Sequence, residues 1–320
     1  MQSKQQPQTN RKCNHVELAP VALFAYNRPD HLQQTIERLA QCKEAASSCI
    51  YIFCDGPKPQ ASGEQLEKIE QVRALAQSVA VTKHFAVVNV IQSERNKGLA
   101  NSIIGGVSDV MKKHGKAIVV EDDLLVAPDF LTYMNACLEF YAPIANVGSI
   151  SGFSPLQKLP SNYAHDVYIA PRNCSHGWAT WRDRWDTIDW SNERLGQVWQ
   201  SRALRAKLRQ GGGDRVARVK RQLEGKIDSW SIRFGCWQIL QQKNTIYPRY
   251  NRVQNIGMDG SGVHTKASDM INAEVVFEDS TFTLSVPTYC HAIVRTFANK
   301  YSGSLPKRIA RYIKTEFLRI

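Results

Sequence analysis

The amino-acid sequence predicts an α/β fold with a mainly parallel central sheet flanked by helices. Four apolar runs are short and nearly continuous, as in strands that are buried on both faces. They cover residues 21–26, 50–54, 85–91 and 117–120. The segments between them carry apolar residues at helical spacing. Strands and helices that alternate in this way predict parallel strands joined by right-handed crossovers.

Each of the three intervening helices is predicted from its apolar spacing. Asp30 is placed to cap the first helix, whose inward residues would be Leu32, Ile36 and Leu39. The other two helices have their expected inward residues at Leu66, Ile69, Val72, Leu75 and Val79, and at Leu99, Ile103, Val107 and Val110.

The pattern changes after residue 150, where short segments, tryptophans and glycines indicate an α+β extension. We expect a polar N-terminal extension at residues 1–17, a first half at 18–150, a second half at 151–290 and a basic amphipathic tail at 291–320. The three glycines at 211–213 predict a flexible break within the second half.

Composition disfavours several classes of protein. Of the 320 residues, 43% are hydrophobic and 22% are charged, which indicates a globular protein rather than a disordered or fibrous one. No apolar run approaches the roughly 20 residues that span a bilayer, and the polar first ten residues do not suit a secretion signal. None of the eight cysteines forms a CxxC pair, which disfavours a thiolate zinc site. We expect reduced thiols and a cytoplasmic location.

A formal net charge of +12 points to an anionic partner. Residues 202–226 carry nine Lys or Arg against Asp214 and Glu224, and residues 301–320 carry five against Glu316. Such segments attract nucleic acid, anionic lipid or phosphate-bearing substrates. A solvated helix face has the same composition, so charge by itself leaves the function open.

Polar side chains follow three of the predicted strands. The first strand runs into residues 27–30, the second into Asp55, and the fourth into Glu121, Asp122 and Asp123. Because ligands of parallel sheets bind beyond the carboxyl ends of the strands, we expect these groups at one rim of the sheet. Turn chemistry explains each segment taken alone, but all three together favour a binding site.

The three adjacent carboxylates are the sharpest feature of this rim. Ionised carboxylates in a row repel one another, so a cation must compensate them. A hard divalent ion binds carboxylate oxygen and leaves positions open for phosphate oxygens. The alternative is an exposed acidic turn before a helix that begins near Pro128.

The run Glu121-Asp122-Asp123 resembles the metal-binding motif of GT-A glycosyltransferases, and more closely the Glu-Asp-Asp variant of the N-acetylglucosaminyltransferase I family. Other pieces between residues 18 and 290 are similar to that family in the same order: 25–29 (AYNRP), 53–56 (FCDG), 96–101 (NKGLAN), 177–181 (GWATW), 228–230 (DSW) and 260–264 (GSGVH). Bacterial sugar transferases of surface-polysaccharide pathways look most like this chain. The resemblance implies a GT-A (Rossmann-like) fold in which residues 18–150 bind a nucleotide sugar and 151–290 hold the acceptor and the base.

The resemblance also implies roles on the donor side. Asp123 would coordinate Mn²⁺ or Mg²⁺ that bridges the donor diphosphate. Asp122 would face the ribose or a water of the metal shell, and Glu121 would face the donor sugar. Arg28 would contact the nucleotide near its ribose or phosphates. Asp55 stands where the family recognises uracil, and a carboxylate can accept from the N3–H that uracil presents and cytosine lacks.

Two further segments are candidates for donor binding. Lys97 and Asn101 lie at a predicted helix N-terminus, whose exposed amides suit anionic or polar ligands; a plain helix cap is the alternative. Gly177 and Trp178 resemble the glycine–aromatic turn that lies beneath the donor sugar in related transferases. Aromatic rings pack well on the apolar face of a sugar, although a tryptophan cluster is more often part of a core.

Asp228 is the predicted catalytic base. It matches the family's acidic residue before a tryptophan at the start of a helix, and it would take the proton of the acceptor hydroxyl. It is also a candidate N-cap of a helix that begins at Ser229. Asp186 and Asp189 are rival bases. His264 falls in the loop that closes over the donor in the family, where it would meet the diphosphate or the metal.

The function expected from these features is metal-dependent, inverting transfer of a hexosyl or N-acetylhexosaminyl group. The donor would be a nucleotide sugar, with UDP favoured, and the acceptor a hydroxyl of a glycan or lipid-linked glycan in surface-polysaccharide synthesis. One alternative is a nucleotidyltransferase acting on sugar phosphates, but residues 27–30 do not form its Gly-rich loop. Another is a non-catalytic module that binds anionic surfaces, which leaves the three carboxylates unexplained. No nucleic-acid partner is expected.

The carboxyl-terminal tail has the pattern of a basic amphipathic helix. Its apolar residues recur at helical spacing among Lys and Arg, at Leu305, Ile309, Tyr312, Ile313 and Phe317. A helix of this kind can lie on an anionic leaflet, which predicts peripheral contact with the inner face of the cytoplasmic membrane. The alternative is that the apolar stripe packs against the catalytic domain.

Overall fold

The computed structural model describes residues 17–257, 275, 281–286 and 288–316 of the chain. Its first elements are β1 (Val21–Ala25), α1 (Pro29–Ala40), β2 (Cys49–Cys54), α2 (Gly63–Val79), β3 (Val87–Gln92), α3 (Leu99–His114) and β4 (Lys116–Glu121). The four strands are parallel and lie in the order β3-β2-β1-β4. All four predicted strands and all three predicted helices between them are present.

The second half of the chain extends the same sheet. Its elements are β5 (Leu124–Val126), α4 (Phe130–Tyr141), β6 (Val147–Ser151), β7 (Val167–Ala170), β8 (Trp178–Trp181), α5 (Arg182–Trp185), α6 (Glu193–Gln200), α7 (Arg202–Arg209), α8 (Asp214–Leu223), α9 (Trp230–Leu240), β9 (Asn244–Pro248), β10 (Val253–Asn255), α10 (His291–Lys300) and α11 (Leu305–Glu316). The strand order continues from β4 as β8-β6-β9-β7, with β8 antiparallel to both neighbours. The predicted fold class, α/β with a mainly parallel central sheet flanked by helices, is confirmed.

The core follows from the two faces of this sheet. Every residue of β1 is buried, and residues 117–120 of β4 are fully buried, which explains their continuous apolar sequence. One face packs against α1, α2 and α4, and the other packs against α3 and α9. Strand β3 lies at the edge and stays half-exposed. A third apolar cluster joins helices α6 to α9.

Two details of the predicted helices are wrong. Helix α1 begins at Pro29, with Arg28 as N-cap and no side-chain capping bond. Proline is suited to the first helical position because no amide donor is needed there. Asp30, the predicted cap, therefore lies inside the first turn. There its negative charge interacts favourably with the positive end of the helix dipole. Leu66 and Leu99, predicted to point inward, are each 43% exposed.

The glycines at 211–213 form a packed turn between α7 and α8 rather than the predicted flexible break. A Cβ on Gly211 would lie 2.5 Å from the Pro171 carbonyl oxygen. Gly212 has a φ of +127°, a conformation that side chains disfavour, and a Cβ there would lie 2.7 Å from the Tyr301 side chain. These close approaches fix α8 against residues 171–172 and the end of α10.

Helix α11 is attached to the domain by polar contacts. Glu316 accepts hydrogen bonds from Arg205 at 2.7 and 2.8 Å and pairs with Arg209 at 2.5 Å. The predicted apolar stripe is exposed at Leu305, Ile309, Tyr312 and Ile313, and its last residue, Phe317, lies outside the described residues. The alternative that this stripe packs against the catalytic domain is therefore wrong for the described residues. No described helix combines the length and apolar character needed to cross a membrane.

Glu316→Gln is expected to destabilise the protein by about 3 kcal/mol near neutral pH, because it removes the counter-charge of two arginines. Hydrogen bonds from Arg205 and Arg209 lower the pKa of Glu316 to about 2. A carboxyl whose pKa is lower in the folded state contributes stability above its unfolded pKa and loses it as the pH falls. The difference in unfolding free energy between wild type and variant, measured by urea denaturation, should shrink between about pH 5 and pH 2.

The matched control for this prediction is Glu64→Gln. Glu64 pairs with Lys68 on the surface of α2, and its side chain is 76% exposed. Such an exposed pair contributes little to stability, because water screens the two charges. A Glu316→Gln effect no larger than that of the control, or one that stays constant across the acidic range, would show that Glu316 does not anchor α11.

Candidate functional site

The carboxyl ends of β1, β2 and β4 meet at one rim of the sheet, because these strands are parallel neighbours. Arg28 follows β1, Asp55 follows β2, and Glu121 ends β4. The structure thus brings the polar groups that follow three predicted strands to the same edge. They fall into two groups, one around Arg28 and the other around Asp55.

Arg28 is paired with two of the three adjacent carboxylates. Its guanidinium donates a short hydrogen bond to Asp122, and its Nη1 lies 3.1 Å from Asp123 Oδ2. The Tyr26 amide donates to Asp122 Oδ2 at 3.4 Å, and Thr35 Oγ1 donates to the Asp122 carbonyl at 2.8 Å. Asp122 is only 3% exposed. The Asp122 carboxylate therefore positions Arg28, and its expected contact with the ribose or the metal shell stays a prediction.

The three carboxylates carry more negative charge than Arg28 can neutralise. Burial, Asp123 and Asp122 raise the pKa of Glu121 to about 8, against the opposing effect of Arg28. Burial raises the pKa of Asp122 to about 6, although Arg28 lowers it. Without a further cation, Glu121 therefore keeps a proton near neutral pH that an isolated carboxylate would lose.

The chain returns to this rim in β10 and covers Asp123. Strand β10 pairs antiparallel with β5, which directly follows the carboxylates. The Ile256 amide then donates to the Asp123 carbonyl at 2.9 Å. Gly257 lies against the Asp123 side chain, since a Cβ built on it would be 2.1 Å from Asp123 Oδ2 and 2.7 Å from Arg28 Nη1. A residue without a Cβ is therefore needed here.

Gly257→Ala is expected to displace the Asp123 carboxylate and to weaken Mn²⁺ binding at this rim by about tenfold or more. Overpacking should also lower stability by about 1–3 kcal/mol. The control is Gly196→Ala in α6, where a Cβ meets no atom within 4 Å. Calorimetric Mn²⁺ titrations and thermal melts compare the two variants, and unchanged Mn²⁺ affinity in Gly257→Ala would argue against Asp123 as a ligand.

Asp55 fastens two loops together. Its Oδ1 accepts from the amides of Gly56 and Lys97, both at 2.9 Å, and its Oδ2 accepts from the Gly98 amide at 3.2 Å. Asn96 Nδ2 donates to the Gly56 carbonyl at 3.0 Å. Because a carboxylate oxygen has two acceptor positions, Oδ2 retains one for a further donor.

Three residues predicted to bind ligand have no such role defined by the structure. Lys97 is exposed. Asn101 Nδ2 donates to the Lys97 carbonyl at 2.9 Å, so this side chain is bonded to the first turn of α3. His264 lies outside the described residues. Donor binding by Lys97 and Asn101 and metal binding by His264 stay predictions.

Trp178 belongs to the core. It is 1% exposed, and its ring centroid lies 4.8 Å from that of Trp230 and 5.7 Å from that of Trp185. The expectation that this ring packs on a sugar is therefore wrong. Gly177 is buried, has a φ of +63°, and would place a Cβ 3.0 Å from Val253 Cγ2. This glycine lets β8 pack closely against β10 and offers no side chain to a ligand.

Sequence reasoning missed His176, which precedes Gly177. Strand β8 begins antiparallel to the end of β4, so this histidine comes close to the carboxylates. Burial lowers the pKa of His176, and Asp123 opposes that effect. Its Nδ1 is buried and has no hydrogen-bond partner in the described chain. A neutral ring nitrogen of this kind can bind a metal ion. Its position beside the Gly177-Trp178 motif was the available signal in the sequence.

Asp228 lies at the start of α9, where its side chain is 56% exposed and accepts from Arg233 Nη2 at 2.8 Å. Ser229 is the N-cap, because its hydroxyl accepts from the Ile232 amide. The alternative role of Asp228 as N-cap is therefore wrong. The stack of Trp230 on the first residue of β8 holds this end of α9 beside the strand.

One rival carboxylate, Asp186, lies toward the start of β4. The other, Asp189, lines a small cavity together with Arg233, the partner of Asp228. The Arg182 amide at the start of α5 donates to the Gly115 carbonyl at 2.8 Å, next to the beginning of β4. Asp186 then pairs with Arg182 at 3.1 Å, and Asp189 accepts from the Ser191 amide at 2.8 Å. The acidic rim lies at the other end of β4, so this placement disfavours Asp186, whereas Asp189 stays a rival to the carboxylate at the start of α9.

No protein-family model matches the chain, and no curated protein matches it. Solved structures that resemble it include a mannosyltransferase, PcManGT from Pyrobaculum calidifontis, in complex with GDP-Man and Mn²⁺. That match has 14% identity and a TM-score of 0.35, and it covers 52% of this chain and 44% of the mannosyltransferase.

S. aureus TarS is similar at 10% identity and a TM-score of 0.39, over 76% of this chain and 37% of TarS. The fragment TarS 1-349 is similar at 9% identity and a TM-score of 0.41, over 93% of this chain and 72% of the fragment. The matched parts are less than half of the mannosyltransferase and of TarS. Likeness this distant does not define an activity.

Proposed function

We propose that this protein, with its GT-A-like fold, is a metal-dependent inverting glycosyltransferase that transfers a hexosyl or N-acetylhexosaminyl group. The donor is a nucleotide sugar, specifically a UDP-sugar, and the acceptor is a hydroxyl of a glycan or lipid-linked glycan in surface-polysaccharide synthesis. The observation that carries the proposal is the rim where Asp122 and Asp123 pair with Arg28, with Glu121 next to them in the sequence, beside loops that Asp55 holds together.

The residues at the rim fit a divalent ion that arrives with the nucleotide. When all are ionised, three carboxylates and one guanidinium leave two negative charges, which Mn²⁺ or Mg²⁺ would balance. In the described chain, no three His, Cys, Asp or Glu side chains form a complete metal site. A hard ion can also be bound by one or two carboxylates, with phosphate oxygens and water completing its shell. Asp123 is the proposed ligand, with His264 as a second candidate.

The donor half of the site is organised around fixed charges. A bound divalent ion would neutralise the charge that develops on the departing diphosphate. Arg28 adds a positive charge next to it, and Asp122 holds that guanidinium in place. Asp55 keeps the β2 and β3 loops together and retains an acceptor position for the uracil N3–H. Preorganised groups of this kind need little rearrangement during the reaction.

On the acceptor half, Asp228 takes the proton of the acceptor hydroxyl as its oxygen attacks the anomeric carbon. The new bond forms as the bond from that carbon to the diphosphate breaks, so the configuration inverts and no covalent enzyme intermediate arises. Arg233 orients the Asp228 carboxylate. The exposure of this side chain leaves it accessible to an incoming acceptor.

The proposal is tested by thermodynamic coupling between Mn²⁺ and UDP. Each ligand should tighten the binding of the other by the same factor, about 5–150-fold, because binding free energies are reciprocal. Isothermal titration calorimetry measures UDP affinity with and without Mn²⁺, and Mn²⁺ affinity with and without UDP. Uridine, which has no diphosphate, is the control. Equal UDP affinity with and without Mn²⁺ would contradict the proposal.

We further propose that α11 brings the enzyme to the inner face of the cytoplasmic membrane, where a lipid-linked acceptor would lie. Its exposed apolar stripe is at least 40% exposed at each of Leu305, Ile309, Tyr312 and Ile313. Arg308 and Lys314 are exposed on the same helix. Apolar and basic residues exposed together suit insertion at the level of anionic headgroups, where each cation adds about 1 kcal/mol.

Replacing Ile309 and Ile313 together by Ser is expected to lower binding to anionic vesicles about tenfold or more, because apolar area buried in the bilayer is lost. Both side chains are already exposed, so the melting temperature should hold. The control replaces Leu66 and Val81 by Ser. These two side chains are 43% and 84% exposed and lie elsewhere on the surface. Sedimentation with phosphatidylglycerol vesicles measures binding, and an unchanged bound fraction in the α11 variant would refute membrane contact through this stripe.

A further inference from the structure

A cluster of four arginines lies beside the candidate base. It consists of Arg172, on the segment that follows β7, and of Arg215, Arg218 and Arg221 on α8. We call it the arginine cluster. The acid that pairs with it is Asp214, which accepts from both terminal nitrogens of Arg172 at 2.8 and 3.1 Å.

The other three arginines have no carboxylate within ion-pair distance in the described chain. Arg215 is 2% exposed and donates to the Pro171 carbonyl at 2.8 Å and to Asn173 Oδ1 at 3.3 Å. Arg218 donates to Ser229 Oγ at 3.2 Å. These acceptors are neutral. Burial and the neighbouring arginine of the β7 segment lower the pKa of Arg215 to about 10 and lower that of Arg218. The cluster therefore carries positive charge that its surroundings do not neutralise.

The arginine cluster is linked to the start of α9, where the candidate base lies. Ser229, which accepts from Arg218, directly follows Asp228 in the sequence. Asn173 Nδ2 donates to Ser231 Oγ at 2.9 Å, which ties the β7 segment to the same turn of α9. An anion bound at Arg218 therefore lies next to Asp228.

The cluster also lies on the path to the acidic rim. Residues 172–177 run from Arg172 to the glycine that precedes β8. His176, within this segment, is affected by both regions: Asp123 raises its pKa and Arg172 lowers it. The segment that carries His176 therefore connects the arginine cluster to the strand beside the acidic rim.

We propose that the arginine cluster binds a phosphate group of the acceptor, through Arg218 and Arg221, with Arg172 and Arg215 as fixed positive charges behind them. The inference rests on the proposed glycosyltransferase function and names its acceptor class, a glycan that carries phosphate or diphosphate. Arginine suits this task because its planar guanidinium donates parallel hydrogen bonds to phosphate oxygens. A phosphate held there positions a hydroxyl of the same acceptor beside Asp228.

Two sources of phosphate satisfy this chemistry, a lipid-linked diphosphate and a phosphorylated glycan in solution. The start of α11 lies close to the cluster, since the Gly213 amide donates to Ser302 Oγ at 3.0 Å and Arg311 Nη1 donates to the Ser302 carbonyl at 3.2 Å. The arginine cluster and the proposed membrane-contacting helix are therefore neighbours. The experiment needs one arm for each source.

The test titrates the full chain with inorganic phosphate in the presence of EDTA, so that the metal-free acidic rim repels the anion. Tryptophan fluorescence, to which Trp230 contributes at the start of α9, reports binding. Arg218→Gln is expected to weaken phosphate binding about tenfold or more. Arg221→Gln, at an exposed position, is a second variant that does not depend on a buried contact. Arg182→Gln, from a surface pair near the opposite edge of the sheet, is the control.

Equal phosphate affinity in wild type, Arg218→Gln and Arg221→Gln overturns the proposal, and so does an equal loss in Arg182→Gln. A parallel titration of the wild type with UDP and Mn²⁺ tests the glycosyltransferase function independently of the phosphate subsite. Failure of that titration counts against the glycosyltransferase function, whereas failure of the phosphate titration alone counts against the acceptor subsite.

Glycerol phosphate and farnesyl diphosphate in detergent then represent the soluble and the lipid-linked source. Tighter binding of farnesyl diphosphate that depends on Arg218 supports a lipid-linked acceptor. Tighter binding of glycerol phosphate with the same dependence supports a phosphorylated soluble glycan. If the affinity for either probe is the same in wild type and in the Arg218 and Arg221 variants, a phosphate subsite at this cluster is contradicted.

Discussion

Asp123→Asn is expected to lower sugar transfer by roughly 100-fold or more while the protein stays folded. The amide keeps the shape of the side chain but removes the charge that holds the divalent ion, and even indirect support of a metal is commonly worth about 10–100-fold. UDP affinity should also lose its dependence on Mn²⁺. Nucleoside diphosphate release and calorimetry measure the two effects.

The control for this variant is Asp109→Asn. Asp109 lies on the surface of α3 with its side chain 67% exposed, and its nearest cation, Lys112, is 3.9 Å away. The same chemical change there should alter neither turnover nor nucleotide affinity. Near-normal turnover of Asp123→Asn, with Mn²⁺-dependent UDP binding intact, would exclude the acidic rim as the metal site.

Asp228→Asn is expected to lower turnover by roughly 10²–10⁴-fold, which is the usual contribution of a general base. Donor affinity should hold, because this carboxylate acts on the acceptor. Stability should hold as well, since Ser229 and not Asp228 caps α9. Steady-state kinetics, calorimetry with UDP and a thermal melt give these three values.

Asp186→Asn is the informative comparison for the base. Asp186 also pairs with an arginine on the surface, at 3.1 Å from Arg182, but it lies near the start of β4 rather than its end. Its replacement should leave turnover unchanged. Loss of turnover in Asp186→Asn but not in Asp228→Asn would identify Asp186, near the start of β4, as the base.

The parts of this fold that could be predicted are those determined by local sequence. Continuous apolar runs specify strands buried on both faces, which is why β1 and β4 lie where they are expected. Parallel order then brings the segments after β1, β2 and β4 to one rim, so the proximity of Arg28 to the three carboxylates follows from topology.

The parts that could not be predicted depend on contacts between distant residues. Trp178 has the sequence environment of a sugar platform, but Trp230, from another element, packs on its ring and makes it core. Asp122 is one of three similar acids, and what distinguishes it is its burial against Arg28 and the Tyr26 amide. His176 comes near Asp123 because β8 is antiparallel to β4, which no local pattern indicates.

The basic stretch at residues 202–226 shows that charge counts, too, do not reveal contacts between distant residues. Counting predicts an anionic partner for the whole stretch, yet Arg205 and Arg209 on α7 are bound to Glu316 from α11, more than a hundred positions away. The excess positive charge is on α8 instead, at Arg218 and Arg221. Charge counts could therefore predict that an anion binds but not which arginines would meet it.

Product analysis of wild-type protein incubated with Mn²⁺ and a panel of nucleotide sugars would decide the proposed activity. We expect nucleoside diphosphate to be released from a UDP-sugar, with release abolished by EDTA and restored by Mn²⁺. Release of pyrophosphate from a nucleoside triphosphate and a sugar phosphate would instead identify a nucleotidyltransferase. Absence of turnover with every donor and acceptor mixture would leave a non-catalytic anion-binding module. Either result would contradict a glycosyltransferase.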